Sequence, residues 1–107
     1  MIYKFKSKAA GDVIMTGATG DHILRLLGKE PAPKGIILPA DMPAAIAALE
    51  QAVHDEEAAR RQAEEEAAAA GETLPHREGI SLRQRVWPLV EMLKRCHAAD
   101  REIVWGV

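Results

Sequence analysis

Residues 81–107 read SLRQRVWPLVEMLKRCHAADREIVWGV, and this stretch decides the fold because it contains a buried helix followed by a strand. Ser81 and Gln84 match a capping box, which predicts that the helix begins there. Pro88 lies seven residues further on and predicts a kink or a split at Val86-Trp87. The apolar positions recur every three or four residues, as on one face of a core helix: Leu82, Val86, Leu89, Leu93 and Cys96.

The two ends of the chain predict strands that can pair with each other. Near the N-terminus Tyr3 and Phe5 alternate with lysines, which indicates a half-buried strand over residues 2–7. A turn at 9–12 and a second strand over 12–16 would complete a β-hairpin. At the other end apolar residues alternate after an exit turn over 98–101: Ile103, Trp105 and Val107.

Between these ends the sequence predicts a short helix and a short extended run. Asp21 is a suitable N-cap for a two-turn helix that reaches Leu27, and Gly28 can terminate it. Residues 30–35 form a proline-containing loop. The apolar run 36–38 that follows is expected to be extended and buried because it precedes a proline.

The central helix is predicted to be long. Asp41 is expected to cap it, and it runs from Met42 to Ala70, a length of roughly 43 Å at 1.5 Å per residue. Its apolar stripe ends at Val53. Beyond that point alanine and two i,i+4 pairs, Glu56–Arg60 and Glu57–Arg61, are expected to stabilise the helix locally.

Together these elements predict one α+β domain spanning residues 1–107. Its small antiparallel sheet consists of the N-terminal hairpin and the C-terminal strand, and three helices cover one face of that sheet. Residues 54–79 form an alanine- and glutamate-rich helical arm with a return loop, which projects partly from the body. A chain of 107 residues with 48% hydrophobic composition can bury enough core to fold without disulfide bonds or a structural metal ion. Its one cysteine also excludes an internal disulfide.

Charge and hydropathy indicate a cytoplasmic protein. The apolar run that follows the N-terminal lysines, 13–15, is too short for a secretion signal, and no stretch approaches the length of a membrane span. The net charge of −2 conceals a division: residues 1–35 carry +3, residues 36–72 carry −7 and residues 73–107 carry +2. Such a chain can attract a second copy, although a solvated helix face is the simpler explanation.

The segment from Val13 to Gly20 resembles the opening of a short-chain dehydrogenase dinucleotide site, in which glycines let the backbone approach a pyrophosphate. The resemblance ends after eight residues. Ile23 stands where a third glycine is required, and Asp21 would repel phosphate. Gly28-Lys29 also lacks the remaining residues of a phosphate loop. We therefore predict no nucleotide cofactor.

The histidines predict no metal site with usual ligand spacing; they are His22, His54, His76 and His97. Glu50, His54 and Glu57 do share one helix face and could hold a divalent ion, but a solvated polar face is the preferred interpretation. Cys96 and His97 point about 100° apart on their helix and cannot act as a nucleophile and its base. Cys96 is predicted to be a buried structural thiol.

A basic set near Trp87 raises nucleic-acid binding as an alternative function. Its members are Arg77, Arg83, Arg85, Lys94, Arg95 and Arg101. The chain carries net negative charge and has no aromatic residues interleaved with these cations, so nucleic acid is an unfavoured partner.

Four segments resemble one family of short proteobacterial proteins, the domain of unknown function number eighteen-forty. They are YKFKSKAAGDVIM at 3–15, GKEPAPKGII at 28–37, PAAIAALE at 43–50, and WPLVEML at 87–93 with the terminal VWGV. The resemblance spans nearly the whole chain and implies a bacterial protein. It implies no activity and no site residues.

The function predicted from these observations is a non-catalytic interaction module that forms a homodimer. A short antiparallel sheet leaves an open edge, and two-fold dimers are the commonest way to cover one. An enzyme or a small-molecule or metal-binding protein remains the alternative, and it would require a pocket lined by convergent polar groups.

Overall fold

The computed structural model describes residues 2–75 and 80–107 and has an α+β fold, as the sequence predicts. Four antiparallel strands lie in the order β2-β1-β4-β3. The strands are β1 (Ile2–Ser7), β2 (Ala10–Thr16), β3 (Gly35–Ile37) and β4 (Ile103–Trp105). The helices are α1 (Gly17–Leu26), α2 (Met42–Ala69) and α3 (Leu82–Ala98).

The strand register assigns every side chain of the sheet to one of two faces. On the covered face Tyr3 pairs with Met15 and Phe5 with Val13. On the open face Lys4 pairs with Ile14. The same alternation continues across β4 and β3, where the open face carries Lys6, Val104 and Ile36 and the covered face carries Ile103, Ile37 and Trp105. One face therefore faces the helices and the other faces solvent.

The core lies between the covered face and the helices. Phe5 is fully buried between the rings of Tyr3 and Trp105, with ring centroids 5.9 and 5.5 Å away. Cys96 is also fully buried, which confirms its predicted place on the core face. The buried apolar side chains of the helices are Ile23 and Leu24 of α1, Met42, Ala45, Leu49 and Val53 of α2, and Val86, Leu89, Val90, Met92, Leu93 and Cys96 of α3.

The hairpin and the first helix differ from their predicted boundaries. The hairpin turns at residues 8–9, so β2 begins two residues before the predicted Asp12. The N-cap of α1 is Thr16, whose hydroxyl accepts a hydrogen bond from the Thr19 amide, and not Asp21. The glycine-containing segment 17–20 is therefore the first turn of α1, because a threonine hydroxyl satisfies an orphan donor there.

The loop before α2 also contains two corrections. Residues Gly35–Ile37 form an edge strand beside β4, and in the predicted buried run only Ile37 is buried. Asp41 ends a single 3₁₀ turn, Pro39–Asp41, and occupies the predicted N-cap position of α2, but its side chain makes no capping hydrogen bond. The tighter turn leads directly into α2, since its residues already have helical geometry.

The last helix confirms its predicted start, and of the two outcomes predicted at Pro88 it excludes the split. Ser81 and Gln84 form both bonds of the capping box. Pro88 lies inside α3, which continues to Ala98 without the predicted split. The apolar residues on both sides of Pro88 pack on one continuous core, and this packing outweighs the missing hydrogen bond.

The long helix α2 projects past α3, as predicted. The two helices are antiparallel, with Glu50 next to Lys94 and Glu57 next to Arg83. Residues 58–69, about 18 Å of helix, thus extend beyond the start of α3, and the molecule measures 52 × 28 × 22 Å. The return segment contacts this arm where Arg60 donates to the Pro75 carbonyl. Glu57 forms its direct ion pair with Arg83, whereas the predicted partner Arg61 acts on it only through its nearby charge.

Candidate interaction surface

The glycine-containing segment has a packing role in this fold. A Cβ added to Gly20 would lie 2.0 Å from Cδ2 of Tyr3, so the absent side chain lets α1 approach β1 closely. The Tyr3 hydroxyl donates to the carboxylate of Asp21. This hydrogen bond, together with burial, raises the pKa of Tyr3. The residues that resemble a dinucleotide site therefore join the first helix to the sheet.

The three residues of the candidate metal site, Glu50, His54 and Glu57, do not converge on one point. Glu57 accepts two hydrogen bonds from Arg83, at 2.8 and 2.9 Å, and these bonds lower the pKa of its carboxyl group. Glu50 lies 3.8 Å from the ammonium of Lys94, and His54 is exposed. In the described parts of the chain, no three histidine, cysteine or acidic side chains converge as metal ligands.

A small cleft lies between α2 and α3 beside Trp87. It has a volume of about 120 Å³, and its walls are Leu49, Glu50, Val53, Arg83, Val86, Trp87 and Val90. Lys94 and Arg83 lie 5.4 and 5.9 Å from the centre of the Trp87 ring. Binding sites for small molecules usually exceed roughly 300 Å³, so this cleft is too small for a typical substrate.

Those members of the basic set that the structure describes do not form one surface. Arg83 and Lys94 face α2 and are already paired with glutamates. Arg85 lies about 200° around α3 from Arg83 at 100° per residue, and Arg95 lies about 120° from it. Arg77 and His76 lie outside the described residues. The predicted nucleic-acid residues are therefore divided between two sides of the helix.

The open face of the sheet carries three exposed isoleucines. The exposed fractions are 69% for Ile2, 61% for Ile14 and 43% for Ile36. The sequence predicts an open edge of the sheet but does not identify these exposed side chains. The segment Val13-Ile14-Met15 does indicate an apolar side chain on the open face, because three consecutive apolar residues in a strand must place at least one on each face.

Strand β2 forms one edge of this sheet and β3 forms the other. β2 is the longer, with seven residues against three. It contains neither proline nor lysine, residues that commonly prevent an edge strand from pairing. Its one charged side chain, Asp12, lies 3.6 Å from the Lys4 ammonium across the open face.

Within residues 2–75 and 80–107, no helix combines the length and the hydropathy that crossing a bilayer requires. Neither the search of curated proteins nor the search of solved structures found a match. A family model described as "Domain of unknown function (DUF1840)" matches residues 1–105. The match covers almost the entire sequence, and the chain therefore belongs to the DUF1840 family.

Proposed function

We propose that this chain is a non-catalytic interaction module of the bacterial cytoplasm that associates with a second copy through strand β2. The observation that carries the proposal is the unprotected β2 edge next to the exposed side chain of Ile14. An edge strand presents unpaired backbone N–H and C=O groups, and a second strand can satisfy them. The buried Cys96 thiol and the resemblance to bacterial proteins support the proposed compartment and source.

A two-fold arrangement centred on Ile14 matches like residues across the new strand pair. In an antiparallel pairing of two β2 strands, Ile14 meets Ile14 of the second copy on the open face. Val13 then meets Met15 on the other face, and both are half-buried in one copy. Asp12 meets Thr16, whose hydroxyl can donate to the carboxylate. Two four-stranded sheets would thus join into one of eight strands.

Attraction between the acidic arm and the basic residues of α3 would add little to this association. Arg83 and Lys94 already have glutamate partners within the same chain. Surface ion pairs are weak, and a second partner would have to displace the first. We therefore expect the dimer to depend only modestly on salt concentration.

Sedimentation velocity at tens of micromolar tests the proposal. The unmodified chain should sediment as a dimer, and Ile14→Asp should sediment as a monomer because two carboxylates would meet at the centre of the strand pair. Ile36→Asp is the matched control, since Ile36 lies on the same open face but on a different strand. It should remain dimeric.

Two outcomes would overturn the proposal. If the unmodified chain is monomeric throughout this range, self-association is wrong and a different partner or a ligand must be sought. If Ile36→Asp dissociates the dimer and Ile14→Asp does not, the interface lies on the β3 side of the sheet.

A further inference from the structure

A second opening in the sheet lies between β1 and the residues that follow β4. The two strands pair only at Lys6 and Val104. Continuing that antiparallel register would place Lys4 opposite Gly106, but Gly106 has a φ of +74° and lies against the Pro33 carbonyl. This left-handed residue turns the chain away from β1, which leaves a cleft.

The cleft measures about 280 Å³ and has polar and apolar sides. Its lining residues are Ile2, Tyr3, Lys4, Lys6, Pro33, Trp105, Gly106 and Val107. The lysines belong to the open face, whereas Tyr3 and Trp105 belong to the covered face. None of the lining side chains is acidic. In the described residues Lys4 has one ion-pair partner, Asp12, and Lys6 has none.

The backbone of β1 adds hydrogen-bonding groups to this cleft. In an antiparallel ladder, alternate residues direct their N–H and C=O groups to the same neighbouring strand, and the residues between them direct theirs to the other side. Strand β2 pairs with β1 on one side from Ile2 to Phe5. On the other side β4 reaches only Lys6. Two of the four residues from Ile2 to Phe5 therefore present donors and acceptors to the cleft.

We propose that this cleft binds an extended acidic peptide as an added strand beside β1. The backbone of such a peptide would satisfy the unpaired groups of Ile2–Phe5. Because its side chains alternate, its acidic residues would lie on the open face, one of them opposite Lys4 and diagonal to Lys6, whose own opposite position Val104 occupies. The apolar residues between them would point toward the covered face, to which the almost completely buried Tyr3 and Trp105 belong. A small organic anion would satisfy the lysines but not the backbone, so the peptide is the better match.

The test uses the fluorescein-labelled peptide Glu-Val-Glu-Val-Glu, amidated at its C-terminus, and measures fluorescence anisotropy. The protein carries Ile14→Lys, which places like charges at the centre of the β2 pair and so prevents dimer formation, without placing a carboxylate opposite Lys4. We expect saturable binding with a dissociation constant on the order of 0.1–1 mM. Two control peptides, Lys-Val-Lys-Val-Lys and the rearranged Glu-Glu-Val-Val-Glu, should bind at least fivefold more weakly, because the first has the wrong charge and the second the wrong alternation.

A charge-reversal pair of variants locates the site. Lys6→Glu should weaken binding of the acidic peptide by about five- to tenfold. Lys8→Glu is the matched control, since it makes the same charge change at the exposed hairpin turn outside the cleft. It should bind within about twofold of the parent. Unchanged circular dichroism for both variants establishes that the fold is retained.

Three results would overturn the proposal. They are no saturable binding at millimolar protein, equal binding of the alternating and rearranged acidic peptides, or equal loss in Lys6→Glu and Lys8→Glu. The test is independent of the β2 dimer, because Ile14→Lys is present throughout. A failure here would therefore leave the proposed self-association unaffected.

Discussion

The two faces of strand β1 differ sharply although they belong to the same six residues. Tyr3 and Phe5 are almost completely buried, whereas Ile2 and Lys4, between and beside them, are exposed. The covered face holds aromatic rings against the helices, and the open face presents isoleucines and lysines to solvent. Burial therefore concentrates the stability of the protein on one face and leaves the other free for association.

Phe5→Ala should produce the largest loss of stability. The side chain is fully buried and contacts two aromatic rings, so its removal leaves a cavity in the core. We expect the free energy of unfolding to fall by about 3–5 kcal/mol, measured by urea denaturation. A loss below about 1 kcal/mol would contradict the assignment of the core to this face.

Gly20→Ala should produce an intermediate loss. Alanine normally favours a helix over glycine, but here the added methyl group would overlap the Tyr3 ring. We expect destabilisation of about 1–3 kcal/mol. Gly11→Ala is the matched control on β2, where no atom lies within 4 Å of the added Cβ, and it should change stability by about 0.5 kcal/mol or less. Equal effects at the two positions would exclude close packing of α1 on β1.

The hydrogen bond from Tyr3 to Asp21 predicts a change of stability at high pH. The folded state raises the pKa of Tyr3 above its ordinary value of 10.0, so it holds the phenolic proton more tightly than the unfolded state does. Its contribution is therefore complete below pH 10 and is lost as the pH rises through the folded-state pKa. Ultraviolet difference absorbance can follow this directly, because Tyr3 is the only tyrosine.

Asp21→Asn should bring the pKa of Tyr3 closer to its ordinary value, since it removes the negative charge next to the phenol. His22→Asn, one residue further along α1 and exposed, is a control that should leave the titration unchanged. A Tyr3 pKa that is the same in Asp21→Asn and the unmodified chain would show that burial alone causes the shift.

The smallest effect on stability is expected on the open face. Ile36 and Ile37 are neighbours on β3, but the first is partly exposed and the second is fully buried. Ile36→Ala should change the free energy of unfolding by about 0.5 kcal/mol or less, whereas Ile37→Ala should cost about 2–5 kcal/mol. Comparable losses at the two positions would contradict the division of the sheet into a covered and an open face.

Local patterns predicted much of this fold. Alternation in β1 identified Tyr3 and Phe5 as buried, and the capping box located the start of α3. The predicted range of α2 differs from the observed helix by one residue, because Gly71, with a φ of +76°, provides a local stop signal. These features depend on residues close in sequence, whose conformational preferences act before any tertiary contact forms.

The remaining features depend on contacts between distant residues. The pairing of β3 with β4 joins residues about 70 positions apart, and Glu57 has two candidate arginines whose distances the sequence does not reveal. The sequence did not predict the candidate surfaces, because they too depend on contacts between distant residues. Lys4 and Lys6 are visible as a basic alternation, but the cleft beside them exists only because Gly106 turns the chain away.

Amide hydrogen exchange as a function of protein concentration tests the central claim most directly. If two copies pair through β2, the amides of residues 10–16 that face away from β1 should exchange more slowly as the concentration rises from below to above the dimer dissociation constant. The amides of α3 provide an internal reference that should not change. The account predicts this concentration-dependent protection at β2, and exchange there that is independent of concentration would contradict it.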